Sequence, residues 1–160
     1  KYICKNVNGI ADRVVIKNLG VADKIGSVYF TNNRGVHNKV NLTDKGGSDT
    51  TSVSVTTLDA ELSENNDLFL KIDVEGYEKQ VLSGGLQTIK KYKPIIYVEN
   101  NSNTYNSSII KFFKKKLLRY GYAPYMFNFN KKKFFKYNSF SIPAKYFSYN
   151  IFFLKKIHFI

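Results

Sequence analysis

The stretch Leu68 to Gly85, LFLKIDVEGYEKQVLSGG, restricts the fold of this chain more than any other. Leu68, Phe69, Leu70 and Ile72 form a short apolar run interrupted only by Lys71, the pattern of a strand buried on both faces of a mostly parallel sheet. After Asp73 the period changes: Tyr77, Val81, Leu82, Leu86 and Ile89 recur at helical spacing and mark one face of a helix. Strand, tight turn and helix in that order belong to an α/β sheet, where ligands bind in the crevice beyond the carboxyl ends of the strands. Asp73, Val74, Glu75 and Gly76 occupy that position. Glu75 and Glu78 also fall in the first helical turn, where the helix dipole favours negative charge, so each has a purely local reading as a stabiliser.

The flanking sequence reads as more elements of the same kind. Residues 1–10 end a helix at Asn8-Gly9. Arg13 to Asn18 is a β-branched strand, and a turn from Gly20 to Gly26 leads into Ser27 to Phe30. Thr31 to Thr50 is a polar loop without periodicity, either a lid or disordered, and His37 within it is either solvent-exposed or a substrate contact or general base. Thr51 to Thr57 alternates polar and β-branched residues, as a strand with one wet face does. Asp59 is expected to cap a helix, and Ala60 to Asn66 is a short helical connection. Pro94 sets a boundary before the apolar strand Ile95 to Val98, which ends at a second acid, Glu99. After a polar loop, Ile109, Ile110, Phe113 and Leu117 make the apolar stripe of a helix whose other face carries Lys111, Lys114, Lys115 and Arg119, and Gly121 ends it. Tyr122 to Asn128 is a strand, Lys131 to Tyr137 continues it as a hairpin, and Tyr149 to Leu154 is a last strand.

At 160 residues the chain is expected to be a single domain, 1–160, with 129–160 a basic and aromatic extension. The lone Cys4 excludes an internal disulfide, and with only His37 and His158 beside it no zinc spacing exists, so no metal site is expected. The apolar runs are too short to span a bilayer and no signal peptide is visible, which points to a cytoplasmic protein. Because the chain opens on Lys1 rather than Met, it reads as an N-terminally truncated fragment. The net charge of +13 is uneven: residues 1–100 hold 13 Lys+Arg against 12 Asp+Glu, whereas residues 101–160 hold 12 against none. Such asymmetry marks either a surface for nucleic acid or acidic membrane, or a solvated helix face with a lysine-rich tail.

Four blocks carry a resemblance. They are V-x-V-x-T-L-D from Val53 to Asp59, K-I-D-V-E-G from Lys71 to Gly76, E-x-x-V-L-x-G-G from Glu78 to Gly85, and P-I-I-Y-V-E from Pro94 to Glu99. In that order and at those spacings the chain closely resembles the FkbM-type family of S-adenosylmethionine-dependent methyltransferases, and Gly9 to Phe30 looks like the segment that precedes them. The resemblance implies a class I, Rossmann-like α/β sheet with helices on both faces. It places the family's first two strands, its glycine-rich loop and its ribose-binding acid upstream of Lys1. It further implies S-adenosylmethionine as cofactor and O-methylation of a small molecule or glycan hydroxyl. By the same pattern Leu19, Gly20 and Val21 border the adenine, and Asp73 and Glu75 line the methyl-transfer pocket. Asp73 and then Glu99 are the candidates for taking the acceptor's proton, against structural readings as a cap and a loop anchor. Two other readings stand beside the enzyme. One is a non-catalytic remnant acting as a binding or structural module. The other is a nucleic-acid binder using Lys111 to Lys133, which is disfavoured because the aromatics sit where strands need them.

Overall fold

The alternation of Val53 and Val55 with Ser52 and Ser54 builds the first of two sheets in the computed structural model, which describes residues 14–31, 40–41, 49–62, 68–74, 76–99, 108–128, 130–136 and 150–155. Its strands are β1 (Gly20–Val21), β2 (Gly26–Thr31), β3 (Val40–Asn41) and β4 (Thr50–Thr56), in the order β1-β4-β2-β3. Strands β2 and β4 pair antiparallel with Val28 opposite Val53, while β1 runs parallel to β4 with Gly20 opposite Val55. Ser52 and Ser54 are exposed and Val55 is buried, so the expected wet face is present. The expected strand from Arg13 to Asn18 requires correction: residues 14–19 are irregular and Val15 is 83% exposed. Pairing with β4 begins at Gly20, opposite Val55.

From β4 the chain enters α1 (Leu58–Glu61), capped by the Thr57 hydroxyl, which accepts from the Ala60 amide at 3.1 Å. The second sheet follows: β5 (Phe69–Ile72), β6 (Ile95–Glu99), β7 (Ala123–Asn128), β8 (Lys133–Lys136) and β9 (Asn150–Leu154), ordered β5-β6-β9-β7-β8. Strands β5 and β6 are parallel neighbours, and β9 is antiparallel to both β6 and β7. The connection from β5 to β6 is helical, as the change of period predicts, but it is two helices, α2 (Glu78–Ser83) and α3 (Leu86–Tyr92).

The break falls at Gly84-Gly85, and packing explains it. A Cβ on Gly84 would lie 2.0 Å from the Ala22 carbonyl oxygen, and one on Gly85 would lie 2.8 Å from Leu58 Cδ1. These glycines admit the first sheet's backbone and α1 to van der Waals contact. Asp59 fastens the junction: its amide donates to the Gly84 carbonyl at 2.9 Å, and its carboxylate accepts from the amides of Gln87 at 3.1 Å and Thr88 at 2.7 Å. Asp59 is therefore a helix cap as expected, but for α3, not for its own helix.

The core lies against one face of the second sheet. Leu70, Ile72, Ile96, Val98, Ile151 and Phe153 meet Val81, Leu82 and Ile89 of α2 and α3 and the apolar stripe of α4 (Ser108–Phe112) with its continuation. Beyond Phe112 the helix widens into a π turn (Phe113–Leu117) and closes in a 3₁₀ turn (Leu118–Tyr120). The wider turn brings Phe112, Phe113 and Leu117 all into the core while Lys114 and Lys115 stay exposed. One further expectation needs correction, because β5 is not buried on both faces. Phe69 is 58% exposed and Lys71 is exposed as well, since the packed helices lie on the Leu70 and Ile72 side. The α/β class holds. Expectations for residues 1–10, most of the 31–50 loop including His37, residues 63–66 and the loop from 100 lie outside the described residues.

Tyr122 ties the end of this helical segment to the start of β6, its hydroxyl donating to the Pro94 carbonyl at 2.8 Å from a site that is 1% exposed. Burial pushes its phenol pKa far up, so it stays a donor at any ordinary pH. In urea denaturation, Gly84→Ala is expected to lower stability by about 3 kcal/mol because a backbone oxygen cannot move aside. Tyr122→Phe is expected to cost about 1–3 kcal/mol because the Pro94 carbonyl is left buried without its donor.

Candidate functional site

The turn between β5 and α2 is shaped from below by Glu78. Its side chain is 5% exposed, and its Oε1 accepts from the Gly76 amide at 2.9 Å and the Val74 amide at 3.4 Å. Gly76 adopts φ 94°, a left-handed conformation that suits glycine. Glu78 thus does more than answer the helix dipole: it holds the backbone that presents Asp73. On the other side, strand period places Lys71 and Asp73 on one face, and Lys71 Nζ reaches Asp73 Oδ2 at 2.6 Å. The Lys71 hydrogen bond holds the Asp73 carboxyl below its ordinary pKa, partial burial opposes that, and the Lys71 charge and a hydrogen bond with Glu99 add to the lowering.

Glu99 reaches Asp73 because β5 and β6 are parallel and in register, Ile72 opposite Val98. The two acids leave adjacent strand ends, whose axes lie about 5 Å apart.

Asp73 also opens onto a cleft of about 420 Å³ between the two sheets. Leu19, Gly20 and Val21 line one side of it, Asp73, Val74 and Tyr77 another, and Val28, Phe30, Val53 and Val55 form an apolar wall. The volume suits a small organic ligand, for which pockets run from about 300 to 1,000 Å³. Burial first, and then the charge of Asp23, raises the pKa of the Tyr77 phenol, which stays protonated. Lys17 and Asn18 also line the cleft, and Lys17 pairs with Glu61, holding that carboxyl below its ordinary pKa and tying the segment before β1 to α1.

The structure therefore gathers Leu19, Gly20, Val21 and Asp73 around one cleft and sets Glu99 against Asp73, while Glu75 lies outside the described residues. The missing Cβ of Gly20 serves an approach within the protein, since a methyl there would lie 2.8 Å from Val55 Cγ1. Sequence reading passed over Lys71 and Tyr77 and the apolar wall. The Lys71-x-Asp73 spacing was the available signal for the first, and the valine alternation of β4 for the last. Among the described residues, no three His, Cys, Asp or Glu side chains are grouped as metal ligands would be.

Residues 5–124 match the family described as the Methyltransferase FkbM domain. The chain belongs to that family. A crystal structure of the Methyltransferase FkbM from Methylobacillus flagellatus KT is similar in fold, with a TM-score of 0.51 and 16% sequence identity over 95% of this chain. The chain spans about a third, 32%, of that protein's length. No curated protein matches it. The family blocks quoted above map onto the structure in a definite way: K-I-D-V-E-G carries the Lys71–Asp73 pair, E-x-x-V-L-x-G-G carries Glu78 and the glycine junction, and P-I-I-Y-V-E supplies β6 and Glu99.

Lys71→Met is expected to return the Asp73 carboxyl toward 3.8, read by side-chain carboxyl NMR through an acid titration. Because the folded pKa is depressed, the stability Asp73 contributes is present above its unfolded value and is lost as pH falls through the folded one. Lys71→Met should shrink that pH-dependent contribution.

Proposed function

We propose that this chain is the catalytic part of an S-adenosylmethionine-dependent methyltransferase that methylates a hydroxyl oxygen on a small molecule or glycan. The observation that carries the reading is the convergence of Leu19, Gly20, Val21 and Asp73 on one cleft in a chain of the FkbM family. The residues present suit part of the cofactor. Leu19, Val21 and Tyr77 offer an apolar surface for the adenine, and an ionised Asp73 offers negative charge near a sulfonium. When bound, S-adenosylmethionine supplies an electrophilic methyl group.

The chain's own contribution is positioning and proton handling. Asp73, kept ionised by Lys71, accepts a hydrogen bond from the acceptor hydroxyl and orients its oxygen. A carboxylate with a depressed pKa is too weak to deprotonate an alcohol in advance, so the proton moves to it only as the new carbon–oxygen bond forms. Glu99, at the end of the neighbouring parallel strand, is the second candidate for that proton. Glu78 fixes the turn, so the carboxylate meets the acceptor without first paying to be ordered.

Calorimetric titration of the full-length, folded protein with S-adenosylmethionine tests the cofactor, and the absence of any heat would retire the enzyme in favour of a binding module. Asp73→Asn is expected to lower turnover about a hundredfold or more, far more than it lowers cofactor affinity. Undiminished turnover would remove Asp73 from the chemistry.

A further inference from the structure

The hairpin of β7 and β8 carries charge of one sign only. Every residue from Asn130 to Lys136 is exposed, including Lys131, Lys132, Lys133 and Lys136, and among them Phe134 and Phe135 remain 41% and 39% accessible. Nothing nearby in sequence neutralises it, since residues 101–160 contain no Asp or Glu. The hairpin is a built element: Asn128 Oδ1 accepts from the Lys131 amide at 2.9 Å, Lys132 takes the left-handed turn conformation, and β8 pairs with β7 from Lys133 to Lys136. The hairpin sets four exposed lysines beside two accessible phenylalanines, and no ion pair among the described residues engages those lysines.

We propose that this hairpin docks the protein on an anionic lipid surface. Lysines gain from the negative potential of such a surface, and their long stems reach outward beside apolar side chains that enter the headgroup boundary. The rings favour lipid over nucleic acid. Phe134 is engaged edge-on by Phe127 and Phe152, each at 5.0 Å, and Lys131 lies 5.8 Å from the Phe135 ring, so neither offers an open flat platform for base stacking. Partition into a headgroup layer requires only accessible apolar surface.

Topology adds an orientation. Because β6 and β7 are each antiparallel to β9, they run the same way, and the turn after Asn128 leaves the same end of the sheet as Glu99 and Asp73. Strand β8 lies three strand positions from β6, about 14 Å. Docking through the hairpin therefore turns the carboxyl-end rim of the sheet toward the bilayer. The proposal does not depend on the chemistry assigned to the cleft.

The test is flotation of the full chain with vesicles of phosphatidylcholine alone and of equimolar phosphatidylcholine and phosphatidylserine. Binding is expected to the second only, and to fade as salt is added. Charge reversal of Lys131, Lys133 and Lys136 to Glu should weaken it by about a hundredfold or more, at about fivefold for each lysine lost. Phe135→Ala should weaken binding at low salt while the melting temperature stays the same. A Lys111→Glu, Lys115→Glu variant should bind within a few-fold of the parent. Equal binding to both vesicle types, binding to neither, or undiminished binding by the hairpin variant would overturn the proposal. So would displacement of the protein from anionic vesicles by a single-stranded oligonucleotide at much lower concentration than by inorganic polyphosphate of equal total charge, which would assign the surface to nucleic acid.

Discussion

The contact between Gly84 and the Ala22 carbonyl is the constraint on which the rest of the structure rests. The two sheets are built from separate sets of strands, and a helix–turn–helix from one must reach the backbone of the other. At the separation observed no side chain fits. Asp59 makes the contact specific, since one residue supplies an amide to Gly84 and a carboxylate to the first turn of α3. Both polar ends of that turn are satisfied by a residue from the neighbouring element, so burial leaves none of these amides without a partner. The cleft exists because this junction sets how far apart the sheets stand.

Within the cleft the same economy recurs. Glu78 is buried, which is costly for a carboxylate, and backbone amides answer it. Those amides belong to the turn that carries Asp73, so the buried acid is used to place the exposed one. Lys71 then sets the charge of Asp73 from a position two residues earlier on the strand. Three ionisable groups within eight residues of sequence thus divide the work: one orders the backbone, one tunes, and one faces the ligand space.

Much of this was legible in the residues themselves. The strand–turn–helix at Leu68 to Gly85, the parallel neighbour ending in Glu99, the basic hairpin and the returning strand near Asn150 all follow from period and turn chemistry, and the structure contains each. Other points were hidden because they depend on contacts far apart in sequence. Gly84-Gly85 falls inside what the periodicity marks as one helix, and only the approach of Ala22 and Leu58 shows why two helices are required. Asp59 reads as the cap of the nearest helix, yet the amides it serves lie 28 and 29 residues away. Phe69 has the composition of a buried strand residue, but which face a sheet covers is decided by where its helices land. The Asp73 cleft was legible at its corners and not along its wall, because Val28, Phe30, Val53 and Val55 owe their place to pairing within a sheet of its own.

Strand β9 has a bearing on how the molecule assembles. It sits between β6 and β7, although some fifty residues of chain separate it from β6. Until Asn150 to Leu154 dock, both neighbours present an open row of backbone donors and acceptors, and Phe153 leaves a vacancy beneath Phe113, its stacked partner at 5.3 Å. The second sheet is thus completed from its middle, by the strand that leaves the ribosome last among those described. Until then its half-built state is vulnerable to pairing with other chains, which makes the arrival of a five-residue segment the step that commits the domain.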